Sequence, residues 1–159
     1  MIKRLSISMC LLAILGSAIF ARTPTYSATT STISTTQDKK SLYARLGGYD
    51  AIALVVDDFI MRLATDKRFE KFFTGFSEDS KKRLRQHILD QFCAAAGGPC
   101  VYTGREMRTA HKGLGITEAD WDAAAKHLVA ALDKYKVPEA EKNELLAFVV
   151  TQKKDIVEK

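Results

Sequence analysis

From Ser41 onward, apolar residues recur every three or four positions, and each such stretch is stopped by glycine or proline. That spacing belongs to helices with one buried face, and little two-residue alternation bounded by hairpin turns accompanies it. Ser41 is placed to cap a short helix ending at Gly47-Gly48, where glycine tolerates a left-handed backbone. Asp50 is placed to cap the next helix, which carries Ile52, Val55, Val56, Phe59, Ile60 and Leu63. A turn of helix is expected over 68–73, then a longer helix over 77–96, stopped by Gly97-Gly98-Pro99. A brief helix is expected over about 104–111, ending at Gly113. Thr117 and Asp120 form a capping pair for a helix reaching Tyr135, and Pro138 suits the first turn of a last helix reaching Ile156. The expected fold is all-α, with one domain over 41–159.

The N-terminal part reads differently. Lys3-Arg4 precedes an uncharged apolar run over 5–21, the layout of a secretory signal. Cleavage after Ala18 or after Ala21 both fit. The run also sits at the lower limit for a spanning helix, so an uncleaved membrane anchor is the alternative. Residues 22–40 are rich in Ser and Thr and hold too few large apolar groups to offset chain entropy, as in a linker. The expected location is therefore outside the cytoplasm, periplasmic or secreted, with membrane contact only if the segment is retained.

Twenty-four basic side chains against 19 acidic ones give a formal charge of +5. No Lys/Arg stripe interleaves with aromatics, so nucleic acid is not an expected partner. The three histidines are His87, His111 and His127. They form no His-Glu-x-x-His pair, and Cys-x-x-Cys-His is absent, which excludes c-type haem attachment. On the 77–96 helix, Leu84, Ile88, Gln91, Phe92 and Ala95 define the expected buried face, and His87 falls on it. Lys81, Lys82, Arg85 and Gln86 face away. An unpaired buried His or Gln costs about 1–3 kcal/mol, so both need partners. His87 is either a satisfied core histidine or a ligand. His111 sits where a short helix gives way to a glycine-marked loop, able to push one imidazole into a cavity. Cys93 and Cys100 are close enough in sequence to form a disulfide after export, or to remain two thiols.

Taken together, Gly47-Gly48, Phe72-Phe73, Gly97-Gly98-Pro99, Tyr102-Thr103-Gly104, Met107 with His111, and Gly113-Leu-Gly-Ile116 resemble the truncated haemoglobins of group I. The resemblance covers about 41–157. It implies a two-over-two helical sandwich, a shortened globin packing, around one non-covalent haem b. It assigns His111 as proximal iron ligand and places Phe59, Ile60, Phe73, Leu84, Ile88, Phe92, Leu145 and Phe148 around the haem, with Trp121 flooring the proximal side.

The sequence also departs from that family. Many members carry a tyrosine at the position of Ile60 and glutamines at those of Leu84 and Ile88, which hydrogen-bond the gas ligand. His87 matches the position of a distal histidine that coordinates iron in some members. Either His87 is a second iron ligand, or His87 or Gln91 hydrogen-bonds the ligand of a five-coordinate iron. The implied function is reversible binding of oxygen, nitric oxide or carbon monoxide. The alternative is a haem enzyme, a nitric oxide dioxygenase or a peroxidase, supplied by a separate electron donor.

Overall fold

The computed structural model describes residues 40–159. The expected signal segment over 1–21, and the 22–40 linker apart from Lys40, lie outside the described residues. Seven helices follow in order: α1 (Leu42–Arg45), α2 (Gly48–Thr65), α3 (Glu70–Phe73), α4 (Glu78–Ala95), α5 (Met107–His111), α6 (Glu118–Lys134) and α7 (Glu139–Ile156). Among the described residues there is no strand, and no helix is long and apolar enough to cross a membrane.

The long helices form two pairs, α2 with α4 and α6 with α7, and the pairs meet through α2 against α6 and α4 against α7. The shared core holds Ile52, Val55 and Val56 from α2, Leu89 and Phe92 from α4, Leu128, Ala131 and Leu132 from α6, and Leu145 from α7. Each lies on the apolar stripe of its helix, so burial of these stripes supplies the main driving force. The two short helices serve different ends. α1 leans on α2 and α7, while α5 packs on α7 alone among the long helices it meets closely.

Caps fix where several helices begin. Ser41 accepts from the Ala44 amide and Ser77 from the Ser80 amide. Thr117 and Asp120 form a reciprocal capping box, with the Asp120 carboxylate accepting from the Thr117 amide at 3.1 Å. α2 departs from expectation. Its N-cap is Gly47, at φ 96°, and Asp50 lies inside the first turn. There its carboxylate still meets the positive end of the helix dipole without capping an amide.

The buried face of α4 also differs. Leu89, Phe92, Cys93 and Ala96 are the buried residues, while Ala95 is exposed and Leu84, His87, Ile88 and Gln91 are half-buried. The stripe is rotated because the α2 core takes one flank of the helix and a cleft takes the other. Arg85 does not point into solvent either: its Nη2 donates to Asp57 of α2 at 2.9 Å, in a two-point ion pair. Short of expectation, α5 begins at Met107, because the Tyr102 hydroxyl turns the preceding segment by donating to the Arg105 carbonyl at 2.6 Å.

Cys93 and Cys100 are joined by a disulfide across a Cα–Cα distance of 5.7 Å. Gly98 lies beneath it. A Cβ there would come within 2.5 Å of the Tyr43 ring and 2.7 Å of the Cys93 sulfur, so only glycine fits. The bridge pins the segment after α4 to the buried end of that helix. Loop-closure entropy for so short a span gives about 2–3 kcal/mol. Denaturant unfolding with and without reductant should differ by that amount. Equal midpoints would show that the bridge adds nothing.

Candidate functional site

A cleft of about 750 Å³ opens between α4, the segment after it, α5 and α7. Its walls are Gln91, Ala94 and Ala95 of α4, Tyr102 and Glu106, Met107 and Arg108 of α5, and Phe148, Gln152 and Asp155 of α7. That volume falls within the range of cofactor-sized sites. A second, apolar cavity of about 180 Å³ lies among α2, α6 and α7.

His111 closes α5 as its last residue and is half-buried. Its Nδ1 lies 2.8 Å from the Met107 carbonyl oxygen, one helical turn back. A carbonyl can only accept, so Nδ1 carries the proton and donates. The Nε2 lone pair is then left for a metal, the arrangement by which an outer-shell hydrogen bond fixes the tautomer of a histidine ligand. Sequence places the histidine; the α5 geometry sets which nitrogen is available.

His87 is half-buried on α4, edge-on to Tyr102 with ring centroids 6.1 Å apart. Its Nδ1 is the one buried side-chain nitrogen or oxygen among the described residues without a hydrogen-bond partner. A nitrogen so placed costs about 1–3 kcal/mol unless something outside the chain engages the imidazole. Burial pushes the Tyr102 phenol above its ordinary range, which keeps it a neutral donor to Arg105.

The other expected haem neighbours divide into three groups. Gln91 and Phe148 line the large cleft. Phe59, Ile60 and Ile88 are half-buried against the core, Leu84 is half-buried three residues before His87, and Phe73 stacks edge-on with Phe76 at 6.0 Å. Phe92 and Leu145 sit in the core and border the small cavity. Trp121 is half-buried in the first turn of α6.

Periodicity did not single out Tyr102, Gln152 or the Arg108–Asp155 pair, in which Arg108 Nε donates to Asp155 at 3.0 Å. Polar residues at a cleft rim break no apolar pattern and so leave no trace in one. His127 is occupied elsewhere, its Nε2 2.8 Å from Asp66 Oδ2. Among the described residues no three His, Cys, Asp or Glu side chains cluster as a metal site. A metal held here therefore needs ligands beyond those of the protein, as iron has in a porphyrin.

Residues 41–158 match the family described as bacterial-like globin. Group 1 truncated hemoglobin GlbN of Mycolicibacterium paratuberculosis is 38% identical over 109 residues, 69% of this chain and 78% of that protein. The chain belongs to the truncated haemoglobins of group 1. GlbN of a Synechocystis species is 39% identical over 103 residues, covering 62% of this chain and 81% of the relative. Among solved structures, the ferric truncated hemoglobin of Tetrahymena pyriformis superposes with a TM-score of 0.68 at 29% identity, over 76% of this chain and all (100%) of that one. The 2/2 hemoglobin of a Synechococcus species, in the cyanomet state with covalently attached heme, gives a TM-score of 0.67 at 31% identity, over 74% and 98% of the two chains. The two helix pairs described above are thus the two-over-two globin sandwich. The cofactor of this family is haem. His111 and His87 are not among the residues that line the cleft, but each belongs to a helix that walls it, α5 and α4. The Nε2 of His111 and the unpaired Nδ1 of His87 mark the imidazoles whose chemistry fits an iron.

Proposed function

We propose that this chain is an exported gas-binding haem protein in which His111 ligates the iron of one non-covalent haem b. The observation that carries the reading is the His111 Nδ1–Met107 hydrogen bond, which leaves Nε2 as the only lone pair of that ring. Bound haem would supply an iron able to take a diatomic ligand: oxygen, nitric oxide or carbon monoxide. Phe148 and Gln91 border the porphyrin, with Phe59, Ile60, Phe73, Leu84 and Ile88 enclosing the far side. Non-covalent retention is supported by the cysteine pair, since Cys93 and Cys100 are bonded to each other and offer no thiol for attachment. The same disulfide suits an oxidising compartment, in keeping with a signal segment over 1–21. A separate electron donor completes the reading.

His87 would hold the iron from a second side, in competition with the gas. Its imidazole is otherwise a polar group in a half-apolar wall with one nitrogen unpaired. Ile60 offers no hydrogen bond to a ligand. Its lack forgoes about 1.5–3 kcal/mol, or roughly 10- to 150-fold in oxygen affinity, relative to a charge-assisted donor there.

Absorption spectra of the ferric, ferrous and ferrous-CO forms test this. The ferrous form is expected to be low-spin without added ligand, and His87→Ala should make it high-spin and speed carbon monoxide binding. A high-spin ferrous spectrum that His87→Ala leaves unchanged would remove His87 from the iron.

A further inference from the structure

The loop following His111 is tied to the very end of the chain. The two carboxylate oxygens of Glu158 accept from the amides of Gly113 and Gly115, each at 2.6 Å. Both glycines are left-handed, at φ 83° and 64°. Alternate left-handed residues bend the loop so that two amides, two positions apart in sequence, converge on one carboxylate. A Cβ on Gly113 would meet nothing within 4 Å, so what requires glycine there is the backbone angle and not space. Those two hydrogen bonds also hold the Glu158 carboxyl below its ordinary range, in its ionised form.

The clasp continues on both sides. The amides of Glu158 and Lys159 donate to the Ile116 carbonyl at 2.8 and 3.3 Å, and the Glu118 amide donates to the Lys159 carbonyl at 3.1 Å. One helical turn before His111, Arg108 grips Asp155 of α7. α5 is too short to hold its own orientation by internal hydrogen bonds. Both of its ends are therefore fixed by the last residues of the chain.

We propose that Glu158 is a positioning residue for His111: by chelating the Gly113 and Gly115 amides it sets the height and tilt at which the imidazole meets the iron. This rests on His111 being the iron ligand. The Gly-Leu-Gly motif is then the receiving half of a latch, and the carboxylate is the tongue. Outer-shell partners of metal-ligating histidines typically change metal affinity by about 10- to 100-fold when removed. Glu158 acts one step further out, through backbone, so the lower end applies.

The test uses the holoprotein, the variants Glu158→Ala, Glu158→Gln and His111→Ala, and a His87→Ala background for the spectroscopy. In Glu158→Ala, transfer of haem to an excess of a haem-scavenging protein should be about 10-fold faster. The iron–imidazole stretching band of the high-spin ferrous form, recorded in a His87→Ala background, should shift or broaden. Glu158→Gln keeps one acceptor oxygen and should fall between in both readouts; faster transfer with a parental band would mark a loss of bulk stability and overturn the positioning role. A parental band and transfer rate in both Glu158 variants would overturn the latch, with His111→Ala still failing to hold haem. If Glu158→Ala does not fold, Glu158→Gln decides alone, and a parental band there overturns the proposal. Haem held equally well by His111→Ala would instead sink the ligand assignment itself.

Discussion

His111→Ala should abolish stable haem incorporation, lowering affinity by more than the roughly 10- to 100-fold that accompanies loss of an outer-shell partner. The substitution removes the Nε2 lone pair while alanine, a good helix former, keeps the last residue of α5 helical. Haem titration of the apoprotein, followed at the Soret band, reads the loss directly. Imidazole added to the His111→Ala protein should restore part of the band, because the cavity left by the side chain admits the free base. A variant that binds haem with parental affinity, or that imidazole leaves spectrally unchanged while haem is bound, would mean that iron is ligated by another residue.

The second large effect concerns the frame that carries the cleft. Leu89 is completely buried (0% exposed) in the shared core, and on α4 it falls between His87 and Gln91 in sequence. Truncation to alanine removes its transfer free energy and leaves a void that the rigid helix pair cannot close, so Leu89→Ala should cost about 2–5 kcal/mol. Against a total of about 5–15 kcal/mol, that is a major fraction, and the melting midpoint should fall by on the order of 10 °C. The measurement belongs on the apoprotein, because bound cofactor adds its own free energy to the folded state. Met61→Ala, at 63% exposure on α2, should stay within about 0.5 kcal/mol. Equal losses at the two sites would show that α4 does not pack as described.

Much of the frame was legible because burial and capping write themselves into local sequence. Ser41, Ser77 and the Thr117–Asp120 box mark helix starts with the side chains that satisfy the first amides. The group I resemblance of the chain fixed the two-over-two packing, which the family match and the structural neighbours bear out. The face of α4 was only half legible. Leucine and isoleucine at 84 and 88 satisfy helical periodicity whether they meet a core or a cofactor, and the stripe alone does not distinguish the two. The Asp57–Arg85 and Glu158–Gly113 contacts were not legible at all, since partners 28 and 45 residues apart leave no local signature. For the same reason the buried carboxylate of Asp58, which accepts from Arg62 and Lys134, reads in sequence as one more solvated charge on α2.

The cystine ahead of Tyr102 fastens together two walls that the polypeptide would otherwise hold only through the hydrogen-bonded turn at Gly97 and Gly98. Oxidation thus prepares the slot before pigment arrives, and less disorder has to be surrendered on loading. A chain that acquires its pigment while still in a reducing environment must shape those walls around the guest. The bridged protein should therefore release its pigment less readily than the reduced one, whichever step came first.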